Sequence, residues 1–312
     1  MIAATARHTR WAPYFFLAPF LLIFATFTVY PIFQSVVLST QHTWGPGATR
    51  NVGLDNYRTL VADPLFWKAL QNTAFFALGS LLTQMPAALG LAMLLNQKSL
   101  RARGVYRLIF FSPALMGFVF VALLVGLVFT KRTGLVNVFL HDVTNSFHWL
   151  ASYIHVNTPV FDLDYPWLED HVRPTMVLAA LWMYTGFNMV YFLAALQNVD
   201  LELLEAAQVD GAGPWRRFWH ITLPSIRPVA SFIALLSIMG SFQLYELPYI
   251  IFANSNNENG PRDSGLTIVM YLMKTGFAKG NLGYACAIGW VLAILLVAFG
   301  AFERFLNRKE DV

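Results

Sequence analysis

Tyr184, Asn188 and Tyr191 stand at i, i+4 and i+7 in an otherwise apolar run. That spacing puts them on one face of an α-helix. An amide and two phenols so placed offer what a polyhydroxylated ring needs: hydrogen-bonding groups for its hydroxyls and flat faces for its apolar side. A second stripe, Ser237, Gly240, Ser241 and Gln243, lies in another apolar run, and Thr73, Ser80 and Gln84 form a third. Polar side chains in a lipid-embedded helix are costly unless they face protein or water, so such stripes point to a cavity. Tyr184, Asn188, Tyr191, Ser237, Gly240, Ser241 and Gln243 are therefore the candidate ligand contacts. Hydrogen bonding between helices is the alternative for the serines, Thr73, Tyr184 and Asn188, and tight packing is the alternative for Gly240. Glu246 lies ~28 Å along a helix from residue 227, which places it beside a membrane interface as a partly solvated group rather than an ion site. His141, His148, His155 and His171 share one segment, but their spacing fits no metal template. The apolar segments hold no paired carboxylates and no nucleophile elbow, and a G-x-x-x-x-G-K-[ST] phosphate loop is missing from the sequence. The chain is expected to be non-catalytic, with no metal or cofactor of its own.

The elements that carry these stripes are membrane helices. Of 312 residues, 57% are hydrophobic and 12% charged, against ~25% charged in soluble domains. Six segments reach the ~20 apolar residues a spanning helix needs: 14–38, 70–95, 106–130, 175–198, 226–253 and 283–304. The expected fold is all-α, a polytopic protein with six transmembrane helices. The first segment is too long for a signal peptide and is read as retained. Arg7, Arg10, Lys98, Arg101, Arg103, Arg107, Arg216, Arg217, Arg227, Arg304, Arg308 and Lys309 flank alternate helix ends. They make those segments about twice as dense in Lys and Arg as the others, which puts both termini in the cytoplasm. The net charge of +4 is thus a topology signal, and nucleic acid is not an expected partner. The lone Cys286 can make no intrachain disulfide. The domain plan is a cytoplasmic 1–13, a membrane domain over 14–304 and a cytoplasmic 305–312. Outer loops fall at 39–68, 131–174 and 254–282. The last contains L-T-I-V-M-Y-L-M-K-T-G-F, whose apolar spacing predicts a short helix at the outer surface.

One cytoplasmic loop, about 200–224, is built unlike a spacer. E-L-L-E-A-A-Q-V-D is a helix-forming run, and Gly211 stands where a left-handed C-terminal cap belongs. Gly213 and Pro214 suit the start of a second helix, P-W-R-R-F-W-H-I-T-L, which Pro224 is expected to stop. Two short helices meeting at a sharp bend are predicted, with a low surface at Ala206 and Ala207 for another protein. An interfacial linker resting on lipid is the alternative.

The pattern E-A-A-x-x-D-G-A-x-x-x-x-x-F-x-x-I-x-L-P resembles the EAA loop of bacterial ABC importer permeases. It is carried here by Glu205, Ala206, Ala207, Asp210, Gly211, Ala212, Phe218, Ile221, Leu223 and Pro224. V-G-L-D-N-Y (52–57), D-P-L-F-W-K-A-L-Q-N-T (63–73), G-L-A-M-L-L-N (90–96), R-L-I-F-F-S-P (107–113), G-L-V-N (134–137) and G-Y-A-C-A-I (283–288) resemble the carbohydrate-uptake branch, of the maltose and glycerol-3-phosphate type. The 131–174 segment is longer than that branch leads one to expect. The resemblance implies that the loop is a coupling helix seated in a cytoplasmic ATPase. It also implies a second, similar permease, two ATPase subunits that hold ATP and magnesium, and an extracytoplasmic solute-binding protein. The implied cargo is a sugar, oligosaccharide or related polyol, including sugar and glycerol phosphates, and the implied location is the bacterial inner membrane. A permease for a non-sugar solute is the nearest rival. An ion-coupled secondary carrier would place ionisable residues near the midplane and often shows inverted repeats, neither of which the sequence contains.

Overall fold

A computed structural model of the protein describes residues 14–45, 47, 49–97, 100–153, 158–253 and 257–308. The 1–13 segment with Arg7 and Arg10, and likewise Lys98, His155, Lys309 and residues 254–256, lie outside the described residues. Among the described residues the fold is all-α apart from one small hairpin. In chain order the elements are α1 (Tyr14–Ser39), β1 (Gln41–Thr43), β2 (Thr49–Asn51), α2 (Asp55–Ala62), α3 (Pro64–Asn96), α4 (Arg103–Phe111), α5 (Phe118–Val128), α6 (Leu135–Ser152), α7 (Val172–Gln197), α8 (Leu201–Val209), α9 (Pro214–Arg217), α10 (Leu223–Phe242), α11 (Glu246–Phe252), α12 (Ile268–Met273) and α13 (Leu282–Arg308). Among the described residues five helices are long and apolar enough to cross a membrane, and six if the bent pair α4 and α5 forms one span.

The third expected span is therefore not a straight helix over 106–130. Its two halves meet at 97°. Pro113 sits in a tight 3₁₀ turn, Ser112–Leu115, and both Met116 and Gly117 are extended, with ψ of 132° and 153°. A proline without a donor followed by two extended residues cannot propagate a helix. The fifth span differs from 226–253 at both ends. The chain does not stop at Pro224: α9 passes through a π-turn, Phe218–Thr222, into α10, so helix runs unbroken from residue 214 to 242. Within that turn the Leu223 N–H reaches back to the Phe218 carbonyl, a wider loop that makes room for the Pro224 ring. The helix then breaks at 243–245 before α11. The 131–174 segment, expected as a loop, contains the 18-residue α6. The short helix near 268 exists, but Ile268 and Met270 are fully buried rather than resting at a surface.

The chain packs as two compact units. One comprises the chain up to Asp63 together with Leu272–Leu295. Its hairpin is antiparallel, pairing Gln41 with Asn51. The Asn56 amide donates to the Ser39 and Gln41 carbonyls, and the Tyr284 hydroxyl donates to Asp63 at 2.8 Å. The other unit comprises Pro64–Tyr271 and the chain from Leu296 on, and its centre is α7. Along α7, Met176, Val177, Ala180 and Met183 pack with Phe76, Val121, Leu244 and Phe252, while Met189, Phe192 and Leu193 pack with Ala88, Ala92, Ile226 and Ile233. Gly186 lies between these clusters. A Cβ there would sit 1.7 Å from the Phe110 carbonyl oxygen, so only glycine lets the α4 backbone touch α7.

Candidate functional site

A cavity of about 110 Å³ opens between the two buried clusters of the larger unit. Tyr184, Asn188 and Tyr191 of α7 line it, as their helical spacing predicts, together with Ser237, Gly240 and Ser241 of α10 and Gln84 of α3. Three polar stripes read from sequence thus converge in part on one space. Gln243 does not reach it: α10 ends at Phe242, and Gln243 caps the helix with its side chain exposed. Thr73 also serves elsewhere, accepting the Ile268 N–H at 3.0 Å and donating to the Ala69 carbonyl. Ser80 is buried and does not line the cavity. Thr73 thus fits the hydrogen-bonding alternative, whereas the buried Ser80 hydroxyl has no hydrogen-bond partner among the described residues.

The cavity wall is aromatic and uncharged. Phe76, Phe118 and Phe187 join the two tyrosines, and Phe118 stands 6.0 Å from Tyr184 between ring centroids. These phenylalanines were not singled out in the sequence, because an aromatic on a membrane helix reads equally as core or lipid contact. Phe187 carried a signal, since it is i+3 from Tyr184 and i−4 from Tyr191. The Asn188 amide donates to the Gln84 side-chain oxygen at 3.4 Å, a long bond that leaves most of both amides' capacity for other partners. The Ser241 hydroxyl donates to the Ser237 carbonyl at 2.7 Å and keeps its acceptor capacity. Such a surface can stack on the apolar face of a ring and exchange hydrogen bonds with hydroxyls. Glu246 is exposed and outside the cavity.

The second candidate site is the α8–α9 elbow. Asp200 caps α8 by accepting the Glu202 N–H at 2.9 Å. At the other end the Gly211 N–H reaches the Gln208 carbonyl and the Ala212 N–H the Ala207 carbonyl, with Gly211 at φ +80°. This is a Schellman cap, which needs the left-handed conformation at that residue. Arg217 donates to the Gln208 side chain at 2.9 Å and braces α9 against α8. The ten motif residues divide by face. Phe218, Ile221 and Leu223 are half-buried, with Ile221 and Leu223 against the second core cluster, while Glu205, Ala206, Asp210, Gly211 and Pro224 are exposed. Ala207 and Ala212 are half-buried. Val209, 89% exposed, and Trp215, 73% exposed, add apolar surface beside them.

Comparison with known proteins places the chain. Residues 84–311 match the family described as binding-protein-dependent transport system inner membrane component. The arabinooligosaccharides transport system permease protein AraP of Bacillus subtilis (strain 168) is 38% identical over 95% of this chain and 91% of its own length. The lactose transport system permease protein LacF of Rhizobium radiobacter is 33% identical over 95% of this chain and 93% of its own. A chain from the crystal structure of a bacterial alginate ABC transporter, in complex with an alginate pentasaccharide-bound periplasmic protein, superimposes with a TM-score of 0.77. That match covers 98% of this chain and 96% of the other at 23% identity, and it extends the likeness to the fold. With a match over most of its length and relatives above 30% identity, the chain belongs to the binding-protein-dependent transport system inner membrane components, as a multi-pass permease subunit of an ABC importer.

Proposed function

We propose that this permease carries an uncharged carbohydrate or polyol, with the α7–α10 cavity as its part of the sugar path and the α8–α9 elbow as its contact with an ATPase. The observation that carries the mechanical half is the unbroken helix from 214 to 242. A push on α9 is carried along continuous helix, through the π-turn and past Pro228, to α10, which bears Ser237, Gly240 and Ser241 of the cavity wall. Glu205, Ala206, Ala207, Asp210, Gly211 and Ala212 form the seated surface. Phe218, Ile221 and Leu223 fasten it to the bundle, and Pro224 begins α10.

On this reading the chain performs no chemistry. ATP and magnesium belong to two cytoplasmic ATPase subunits, a second permease completes the path, and an extracytoplasmic binding protein delivers the solute. Both termini are cytoplasmic. The carbohydrate class is favoured by the aromatic, hydroxyl-matching wall and by relatives whose names specify arabinooligosaccharides and lactose. The test is isolation of the tagged chain from membranes in mild detergent. Co-purification of an ATPase, a second six-helix permease and a binding protein is expected, and the binding protein is then screened against neutral and acidic sugars. A chain that transports alone under an ion gradient would overturn the assembly. A binding protein that prefers amino acids or peptides would overturn the substrate class while leaving the assembly intact.

A further inference from the structure

Helix α6 is amphipathic in the reverse sense for a water-facing segment. Asn137, His141, Thr144 and His148 share one arc of the helix, and the strap at 158–167 covers it. The Asn137 amide donates to the Leu163 and Tyr165 carbonyls, and His141 Nδ1 donates to the Phe161 carbonyl at 2.8 Å. The Thr144 hydroxyl accepts the Phe161 N–H, and His148 Nδ1 donates to the Thr158 carbonyl at 2.7 Å. The opposite arc holds Leu135, Phe139, Val143, Phe147 and Leu150, which are 68, 66, 49, 62 and 60% exposed. None of these five is polar. A surface helix ordinarily turns its apolar stripe to the core, and an exposed apolar patch of this kind marks a contact surface.

The connections of α6 indicate what covers that surface. Only residues 129–134 separate it from α5, and the strap returns to the start of α7 at Val172. α7 is long and apolar enough to cross a membrane, and α5 is half of the bent pair that makes a further span when taken with α4. Exposed Phe120, Leu123 and Leu127 on α5 lead along the chain into exposed Leu135 and Phe139, so the apolar arc continues a lipid-facing surface. Trp149 and Tyr153, edge to face at 5.1 Å, border the arc, and Trp and Tyr gather where membrane meets water. The pairs Lys131–Glu169 and Arg132–Asp164 hold the strap side, while exposed Asp142 stands at the edge of the apolar arc and exposed Ser146 within it.

We infer that α6 lies along the membrane surface opposite the α8–α9 elbow, with its Leu135–Phe139–Val143–Phe147–Leu150 side sunk into the lipid headgroup region and its strap turned to water. The test places spin labels on the full chain in lipid membranes, after Cys286→Ser removes the native thiol. Phe139→Cys, Val143→Cys and Phe147→Cys report the arc, and Asn145→Cys reports the exposed polar side. Relaxation by dissolved oxygen, relative to a water-soluble nickel chelate, is expected to be several-fold higher at the first three positions than at 145. Equal nickel access at all four would overturn the inference by putting the arc in water. Low access to both reagents at the three positions would overturn it by showing a protein partner there. Leu135→Cys and Leu150→Cys on the same arc replace any labelled variant that fails to insert.

Discussion

Asn56, Asn72 and Asn137 perform one physical task in three places. Each is 5% exposed or less, and each amide donates to two backbone carbonyls. Asn72 holds the Asp263 and Leu266 carbonyls at 2.7 and 2.8 Å. A carboxylate of the same shape accepts but cannot donate, so Asn72→Asp would set acceptor against two acceptors. Leaving such groups unpaired in a buried site costs ~1–3 kcal/mol each. Asn72→Asp is therefore expected to lower the melting temperature of the detergent-solubilised protein well below that of the wild type, and below that of Asn72→Leu. An Asp variant that melts with the wild type would sink this account. Gly186→Ala tests a different residue-scale constraint. Its methyl group would meet backbone rather than a movable side chain, and overpacking of that kind costs ~1–3 kcal/mol; an unchanged melting curve would show that α4 can move aside. The asparagines were visible in sequence as parts of V-G-L-D-N-Y, Q-N-T and G-L-V-N. Their partners were not, because 191 and 194 residues separate Asn72 from the carbonyls it holds.

Elements show the same division between what local chemistry declares and what packing decides. The cap at Gly211 and the start at Pro214 were legible, because each is written in residues within one turn of the joint. The π-turn at Phe218–Thr222, the bend between α4 and α5, and α6 itself were not. Pro224 reads as a stop until tertiary packing offers a wider turn. Leu135–Ser152 mixes His, Asn and aromatics in proportions that suggest a loop until the strap accounts for its polar side. Gly211→Pro is the sharpest test of the elbow. Proline holds φ near −65°, against +80° here, and removes the N–H that reaches Gln208. The protein should stay in the membrane and lose ATPase attachment or coupling, read by co-purification and by transport; normal transport would remove the coupling role. The strap gives a pH prediction. Its hydrogen bond to Arg132 holds the Asp164 carboxyl below the usual carboxylate range, and Asp164 reciprocally raises Arg132. A depressed carboxylate pKa contributes stability above its unfolded value that is lost as pH falls through the folded one. This pair should therefore be indifferent to pH across the neutral range and let go only in acid. Hydrogen exchange in 158–164, corrected for intrinsic rate, should rise only at low pH in the wild type, and Asp164→Asn should show the loosened strap already at neutral pH.

At the scale of the whole molecule, size decides what one chain can hold. The cavity measures about 110 Å³. Small-molecule pockets run ~300–1,000 Å³. Enclosing even one sugar unit therefore requires a second wall. Phe187, Tyr191, Phe232, Leu236 and Met239 are each more than a third exposed, and the Tyr191 and Phe232 rings meet edge to face at 6.4 Å. They form the aromatic margin that such a wall would close upon. It follows that the purified chain alone should show no saccharide binding by calorimetry, whereas its complex with the proposed second permease should bind the solute. In the assembled transporter, Tyr191→Ala removes one ring face worth about 1 kcal/mol, which is roughly five-fold in affinity. The half-saturating solute concentration of a binding-protein-independent assay should rise by that factor, with basal ATP hydrolysis unchanged. Saccharide binding by the isolated chain as tight as by the pair would show that this cavity opens without its partner. The path would then belong to one subunit rather than to the seam between two.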